Sequence, residues 1–155
     1  MAIEIERKFR VVGDGWRDDV RRARRFRQAY LAIGERVSIR VRIVDAVNAM
    51  LTVKTAAAGI ARDEYDYAIP LADGLALIEQ RQGSAIEKMR YDVPAGDLTW
   101  EIDVFEGENT GLVIAEIELD SASRRIELPP WIGEEVTHDR RFYNAELAVR
   151  PFARW

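Results

Sequence analysis

Four short segments of this 155-residue chain carry like charges two residues apart: Glu4/Glu6, Arg40/Arg42, Glu101/Asp103 and Glu116/Glu118. In an extended strand such pairs sit about 7 Å apart on one face and repel one another. A chain that repeats this arrangement is built to hold counter-ions. The lysines point the same way. Only three of the 23 basic residues are lysines, and all three (Lys8, Lys54 and Lys88) fall on these charged faces. The acidic set comprises Glu4, Glu6, Glu64, Asp66, Glu101, Asp103, Glu116 and Glu118. The basic set comprises Lys8, Arg40, Arg42, Lys54, Lys88 and Arg90. Clustered carboxylates without His or Cys select hard cations, Mg²⁺ or Mn²⁺. Clustered Arg and Lys grip phosphate, Arg as a planar fork and Lys as a point charge. Both sets in one cavity describe a metal–polyphosphate site.

The elements that must position these groups are strands. Polar and apolar residues alternate over Ile3–Phe9, Val37–Ile43, Leu51–Lys54, Arg62–Tyr67, Lys88–Val93, Trp100–Val104 and Ala115–Leu119, and Phe26–Ala32 is a further candidate. Period two means strands, and about eight of them at this spacing predict a sandwich or barrel. Helices are predicted over Trp16–Arg25, with Asp14 as cap, over Leu71–Arg81, with Asp73 as cap, and over His138–Val149, with Thr137 as cap. The class is α+β with an antiparallel sheet, in one domain spanning residues 1–155. Two geometries fit. One is an open sheet with its charged face in water. The other is a closed barrel with the charges inward and the apolar positions covered by the helices. A charged interior is costly unless it is hydrated or filled, so the second geometry requires a ligand.

Composition narrows the chemistry. Hydrophobic residues make up 48% and charged residues 32%, which predicts a folded, water-soluble chain. With no cysteine, thiolate chemistry is excluded, and a single histidine, His138, comes close to excluding a Ser–His–acid machine or a multi-histidine metal site. No segment approaches the ~20 apolar residues of a membrane span, and Met1–Arg10 has no apolar core of a signal peptide. The cytoplasm is the expected location. The net charge of −4 hides a division, because residues 1–42 hold twelve Lys/Arg against six Asp/Glu while the remainder is acidic.

At Glu4-Ile5-Glu6-Arg7-Lys8 the chain resembles the CYTH family, the triphosphate tunnel metalloenzymes, whose motif near the N-terminus is E-x-E-x-K. The likeness continues through Tyr30-Leu31, Arg40-Val41-Arg42, Leu51-Thr52-Val53-Lys54, Glu64-Tyr65-Asp66-Tyr67, Glu87-Lys88-Met89-Arg90-Tyr91, Trp100-Glu101-Ile102-Asp103 and Ala115-Glu116-Ile117-Glu118-Leu119. It extends into Trp131–Thr137 and Tyr143-Asn144. One departure is visible: close relatives often read Glu-x-Glu-x-Glu on the fifth strand, where this chain has Glu64, Asp66 and Ala68.

The resemblance implies an eight-stranded antiparallel β-barrel forming a tunnel, with helices packed outside. It implies divalent-metal-dependent hydrolysis of a triphosphate, inorganic tripolyphosphate foremost, with two Mg²⁺ or Mn²⁺ ions. The metal ligands would be Glu4, Glu6, Asp103, Glu116 and Glu118. Arg40, Arg42, Lys54, Lys88 and Arg90 would grip the phosphates. Lys8, beside Tyr30, would position the terminal phosphate. Glu64, Asp66 and Glu101 are additional tunnel carboxylates, and Glu64 and Asp66 can equally be ion-pair partners of the tunnel cations. Thiamine or nucleoside triphosphate hydrolysis, adenylyl cyclisation and polyphosphate binding without turnover are the alternatives. A homodimer is compatible with the sequence. Nucleic-acid binding through Arg21-Arg22-Ala23-Arg24-Arg25, expected on a solvated helix, is disfavoured by a pI of 5.2.

Overall fold

The alternating segments pair into one antiparallel sheet that closes on itself. The computed structural model describes residues 2–55 and 60–155. Its strands are β1 (Ala2–Val11), β2 (Arg22–Ile33), β3 (Val37–Val44), β4 (Asn48–Thr55), β5 (Ala61–Ile69), β6 (Gln82–Ala95), β7 (Leu98–Phe105), β8 (Val113–Glu118) and β9 (Ile132–Glu135). The order around the sheet is β5-β4-β3-β2-β6-β7-β8-β1, and β1 returns to β5 between Ala2↔Glu64 and Ile5↔Ala61. Eight strands therefore form a closed barrel, which removes the exposed edges of an open sheet. The short β9 adds to β1 at Phe9↔Glu135 and Val11↔Ile132. The β3–β4 hairpin turns through Asp45 (φ 53°) and Ala46 (φ 57°), and two successive left-handed residues match the twist of the flanking strands.

Closure decides where each parity points. The charged residues face inward, and the residues between them form the outer wall. Phe9, Val93, Trp100, Ile102, Ala115 and Ile117 make one outer cluster, covered by Trp16 and Trp131. Trp100 meets Phe9 and Trp131 edge to face, with ring centroids at 5.6 and 5.7 Å. A second cluster (Ala29, Val41, Ile43 and Ala49) is covered by Ile78 and Leu77 of α1 (Leu71–Ile78). Gly74 sets that approach, since a Cβ there would lie 2.6 Å from Ala49 Cβ.

The third cluster lies at an end of the barrel. Tyr30, Ile86, Phe105 and Ile114 continue the inward parity past the charged residues of β2, β6, β7 and β8. They pack against Phe142, Leu147 and Ala148. α2 (Asn144–Val149) thus lies across this end rather than along the wall. Gly83 permits it, because a side chain there would collide with the Ala148 carbonyl.

The helices differ from expectation. The helix expected over Trp16–Arg25 is reduced to a single turn, Arg17–Asp19. From Arg22 the chain runs as β2 and pairs with β6, Arg22↔Asp92 through Phe26↔Lys88. A ladder that closes the barrel overrides a charge order suited to a helix. The helix expected over Leu71–Arg81 ends at Ile78, and Asp73 sits inside its first turn without a capping bond. The helix expected over His138–Val149 splits into a turn at Arg140–Phe142 and α2. Thr137 caps neither. Its hydroxyl accepts from the Lys8 amide at 3.0 Å and donates to Glu135 at 2.6 Å. Among the described residues no helix is long and apolar enough to cross a membrane.

Candidate active site

The inward charges of β1, β2, β3, β6, β7 and β8 belong to strands whose alternate residues are anchored in an outer cluster, so the site inherits the rigidity of the wall there. The lumen contains a cavity of about 780 Å³ lined by residues from both charge sets, among them Glu4, Glu6, Lys8, Arg40, Arg42, Lys54, Glu64, Lys88, Arg90, Glu101, Glu116 and Glu118. Tyr30 lines it as well.

The two signs are not evenly mixed. On β6, and at Lys8 of β1 and Lys54 of β4, the cations are paired with carboxylates. Arg90 makes a bidentate contact with Asp103 (Nε to Oδ1 2.7 Å, Nη2 to Oδ2 2.8 Å) and reaches Glu101 at 3.1 Å and Glu116 at 3.3 Å. Lys88 donates to Asp103 at 2.7 Å. Lys8 lies 3.4 Å from Glu116, donates to the Phe142 carbonyl and faces the Tyr143 ring at 5.4 Å. Lys54 bridges Glu4 at 2.9 Å and Glu64 at 3.5 Å.

On the β3 side the cations lack carboxylates. Among the described residues, Arg40 donates only to Thr52, at 3.2 Å, and its Nε is buried without a partner. Arg42 donates only to Gln28, at 2.7 Å. The Thr52 hydroxyl in turn donates a hydrogen bond to Asp66 at 2.5 Å. The guanidiniums of Arg42, Arg90 and Arg24 lie over the Phe26 ring at 4.3, 5.0 and 5.3 Å. This buried aromatic floor holds like charges together at modest cost. In a ring of eight strands β3 stands opposite β8, so these arginines face the carboxylates of β8 and β1 across the lumen.

Crowding shows in the proton affinities. Burial pushes the Glu6 carboxyl up to about 8, with Glu116 and Glu4 adding to it. Burial likewise raises Glu64 to about 7, against the pull of Lys54. Burial, then Glu4 and Glu101, raise Glu118. Burial also opposes ionisation of Glu116, but Lys8 and Arg90 outweigh it and hold the group well below the usual carboxylate range. Burial, joined by Arg40 and Arg90, pulls Arg42 down to about 9, and burial pulls Lys88 down to about 7 despite Asp103. One wall needs positive charge and the other needs negative charge.

A CYTH domain matches residues 2–143. The chain belongs to the CYTH family. It is 41% identical over 153 residues to an inorganic triphosphatase of Acetivibrio thermocellus, covering 98% of this chain and 97% of the relative. It is 35% identical over 151 residues to an inorganic triphosphatase of Nitrosomonas europaea, covering 94% and 97%. A crystal structure described as an inorganic triphosphatase superposes with a TM-score of 0.67 at 33% identity, covering 96% of each chain.

This CYTH barrel brings nearly all the expected residues into one lumen, with distinctions among them. Asp103, expected among the metal ligands, does not line the cavity, because Arg90 and Lys88 occupy both its oxygens. Asp66 turns to Thr52 and Glu64 to Lys54. Tyr30 lines the lumen and also seats α2, and the ring facing Lys8 belongs to Tyr143. Ala68 pairs with Met50 on β4. His138 is exposed at the cavity rim, in a loop rather than a helix.

Several site residues were not anticipated. Arg24 faces inward and pairs with Asp92 at 2.9 Å and Glu101 at 3.5 Å. Arg21–Arg25 is therefore not a solvated helix: Arg24 is in the lumen, and Arg25 pairs with Glu106 outside. Gln28, Arg62 and Asn144 also line the lumen or contact its charges. The even parity of Arg24, Phe26, Gln28 and Tyr30 was the available signal for β2. At the opposite end from α2, Asp92, Asp97, Glu101, Glu118 and Asp120 line a cleft, and all but Glu118 are paired there with Arg24, Arg90 or Arg124.

Proposed function

We propose that this protein is a divalent-metal-dependent triphosphatase, with inorganic tripolyphosphate as substrate and pyrophosphate and phosphate as products. The observation that carries the proposal is that arginines without a carboxylate partner, Arg40 and Arg42, stand across the lumen from Glu6 and Glu118, which have no cation partner among the described residues, beside Glu4 and Glu116, which do. Arg40 and Arg42 make no hydrogen bond or ion pair to a carboxylate among the described residues, and across the lumen burial, with Glu116 and Glu4 adding to it, pushes the Glu6 carboxyl up to about 8. A polyanion coordinated to cations satisfies both walls at once. The two relatives described as inorganic triphosphatases support the same choice.

The donor set fits a hard cation. Glu4, Glu6, Glu116 and Glu118 are acidic oxygens on the paired strands β1 and β8, with Glu6 opposite Glu118. Among the described residues, no three acidic or histidine side chains already surround a single point. Glu4 is turned to Lys54, and Glu116 to Lys8 and Arg90. Glu4, Glu6, Glu116 and Glu118 would hold two Mg²⁺ or Mn²⁺ ions, which when bound would neutralise phosphate charge and acidify a water.

The chain's own groups do the rest. Arg40, Arg42, Lys54, Lys88 and Arg90 grip the phosphate chain and draw charge toward the bridging oxygen as its bond to the terminal phosphorus breaks. Asp103 anchors Arg90 and Lys88 so that their remaining donors point consistently. Lys8, held by Glu116 and the Phe142 carbonyl, contacts the terminal phosphate, with Tyr30 on the facing strand β2. Enclosure by eight strands and α2 keeps bulk water from competing with these contacts. A panel of tripolyphosphate, ATP and thiamine triphosphate compared by kcat/KM tests the substrate. Tripolyphosphate ranks first, and cyclic AMP from ATP overturns the assignment.

A further inference from the structure

We infer that Asn144 is a positioning residue, holding two of the phosphate-gripping cations in register from outside the barrel sheet. The inference rests on the triphosphatase proposal. Asn144 Oδ1 accepts from Lys88 Nζ at 3.0 Å and from Gln28 Nε2 at 3.1 Å. Gln28 Oε1 in turn accepts from Arg42 Nε at 2.7 Å. One amide oxygen therefore ties together Lys88 on β6 and, through Gln28, Arg42 on β3.

Chemistry fixes the orientation of both amides. Lys88 and Arg42 can only donate. The oxygen of Gln28 must face Arg42, so its nitrogen faces Asn144. The oxygen of Asn144 must then face both Lys88 and Gln28. Flipping either amide would set donor against donor. Gln28 is fully buried, and an unmade bond there leaves polar groups stranded.

The position of Asn144 in the fold explains how it reaches the lumen. It is the first residue of α2, the element lying across one end of the barrel, and Phe142, Leu147 and Ala148 anchor it on either side. The eight strands supply the charged groups. The segment after β9 supplies the acceptor that orders two of them. Lys88 already has Asp103, so the loss of Asn144 frees the direction of its ammonium without leaving it uncompensated. Arg42 has no other hydrogen-bond partner among the described residues, so loosening Gln28 leaves it only the face of the Phe26 ring, which sets no direction for its donors.

The test compares wild type, Asn144→Leu, Gln28→Met and the double variant. Leu is close to Asn in size and has no acceptor. The measurements are tripolyphosphate affinity by calorimetry in EDTA, kcat and KM with Mg²⁺, and thermal melting. Asn144→Leu is expected to weaken metal-free binding and raise KM about tenfold, the scale of a lost bond to a charged group, with a smaller change in kcat. The double variant is expected to match Asn144→Leu, because both substitutions cut one relay. A folded Asn144→Leu with unchanged Kd and KM overturns the inference, as does a fully additive double variant. Should Asn144→Leu not fold, Gln28→Met decides alone: a raised KM supports the relay and an unchanged KM refutes it. Wild type that binds tripolyphosphate without hydrolysing it removes the triphosphatase proposal but leaves the Kd comparison to judge the relay. Wild type that does not bind removes both.

Discussion

Lys88 Nζ lies 2.7 Å from Asp103 Oδ2, and the two side chains are 1% and 0% exposed. Arg90 closes on the same carboxylate from β6. A buried pair of this kind contributes little relative to an apolar pair, but removing one partner strands the other. Asp103→Ala is therefore expected to destabilise the protein by about 3–5 kcal/mol. The combined Lys88→Met/Asp103→Leu variant should recover only part of that loss, because Arg90 still loses its bidentate partner and keeps only Glu101 and Glu116. Thermal or denaturant unfolding measures both, and a combined variant less stable than Asp103→Ala would contradict the stranding of Lys88.

Arg42 carries the opposite prediction. It is a lumen cation without a carboxylate, and burial with Arg40 and Arg90 weakens its hold on its proton. Arg42→Met should raise the melting temperature of the ligand-free protein, because removing a buried charge that Asp103 and Asp66 offset only at a distance outweighs the loss of its bond to Gln28. It should also raise KM for tripolyphosphate by about tenfold or more. A variant that is both less stable and equally tight in KM would contradict the assignment of Arg42 to the phosphate.

The pH dependence of the metal-free protein follows from Glu6 and Glu64. Their folded values, about 8 and about 7, lie above the ordinary 4.5, so between 4.5 and 7 the folded state binds more protons than the unfolded state. Stability then falls as pH rises through that window. Lys88, lowered from 10.5 to about 7, acts in the opposite sense but only above pH 7. In EDTA the melting temperature should be higher near pH ~5.5 than at pH ~7, and Mg²⁺ should reverse the order by replacing the protons. A melting temperature that rises with pH in EDTA would remove the carboxylate crowding. Glu6→Gln should flatten the slope.

The inward parity was legible because closure preserves the period of two. Glu4/Glu6/Lys8, Arg40/Arg42, Lys88/Arg90 and Glu116/Glu118 all line the lumen. Period alone left the open sheet and the barrel both standing, and the β1–β5 pairing decides between them. Arg21–Arg25 was misassigned because a run of arginines after acidic residues suits a helix C-terminus. Only the pairing of Arg22 with Asp92 shows the strand. Asp103 shares its alternation with Glu101, so pattern could not say that its oxygens were already taken. The part played by Asn144 depends on a contact 56 residues away in sequence, with Lys88, which no local spacing encodes.

The central claim is turnover of a triphosphate at a metal-loaded carboxylate wall. Its most direct test is phosphate release from tripolyphosphate with Mg²⁺ or Mn²⁺, in wild type and in Glu116→Gln, with and without EDTA. The account predicts equimolar phosphate and pyrophosphate from wild type, abolished by EDTA and by the substitution. No release with either metal, or release that persists in EDTA, would contradict it.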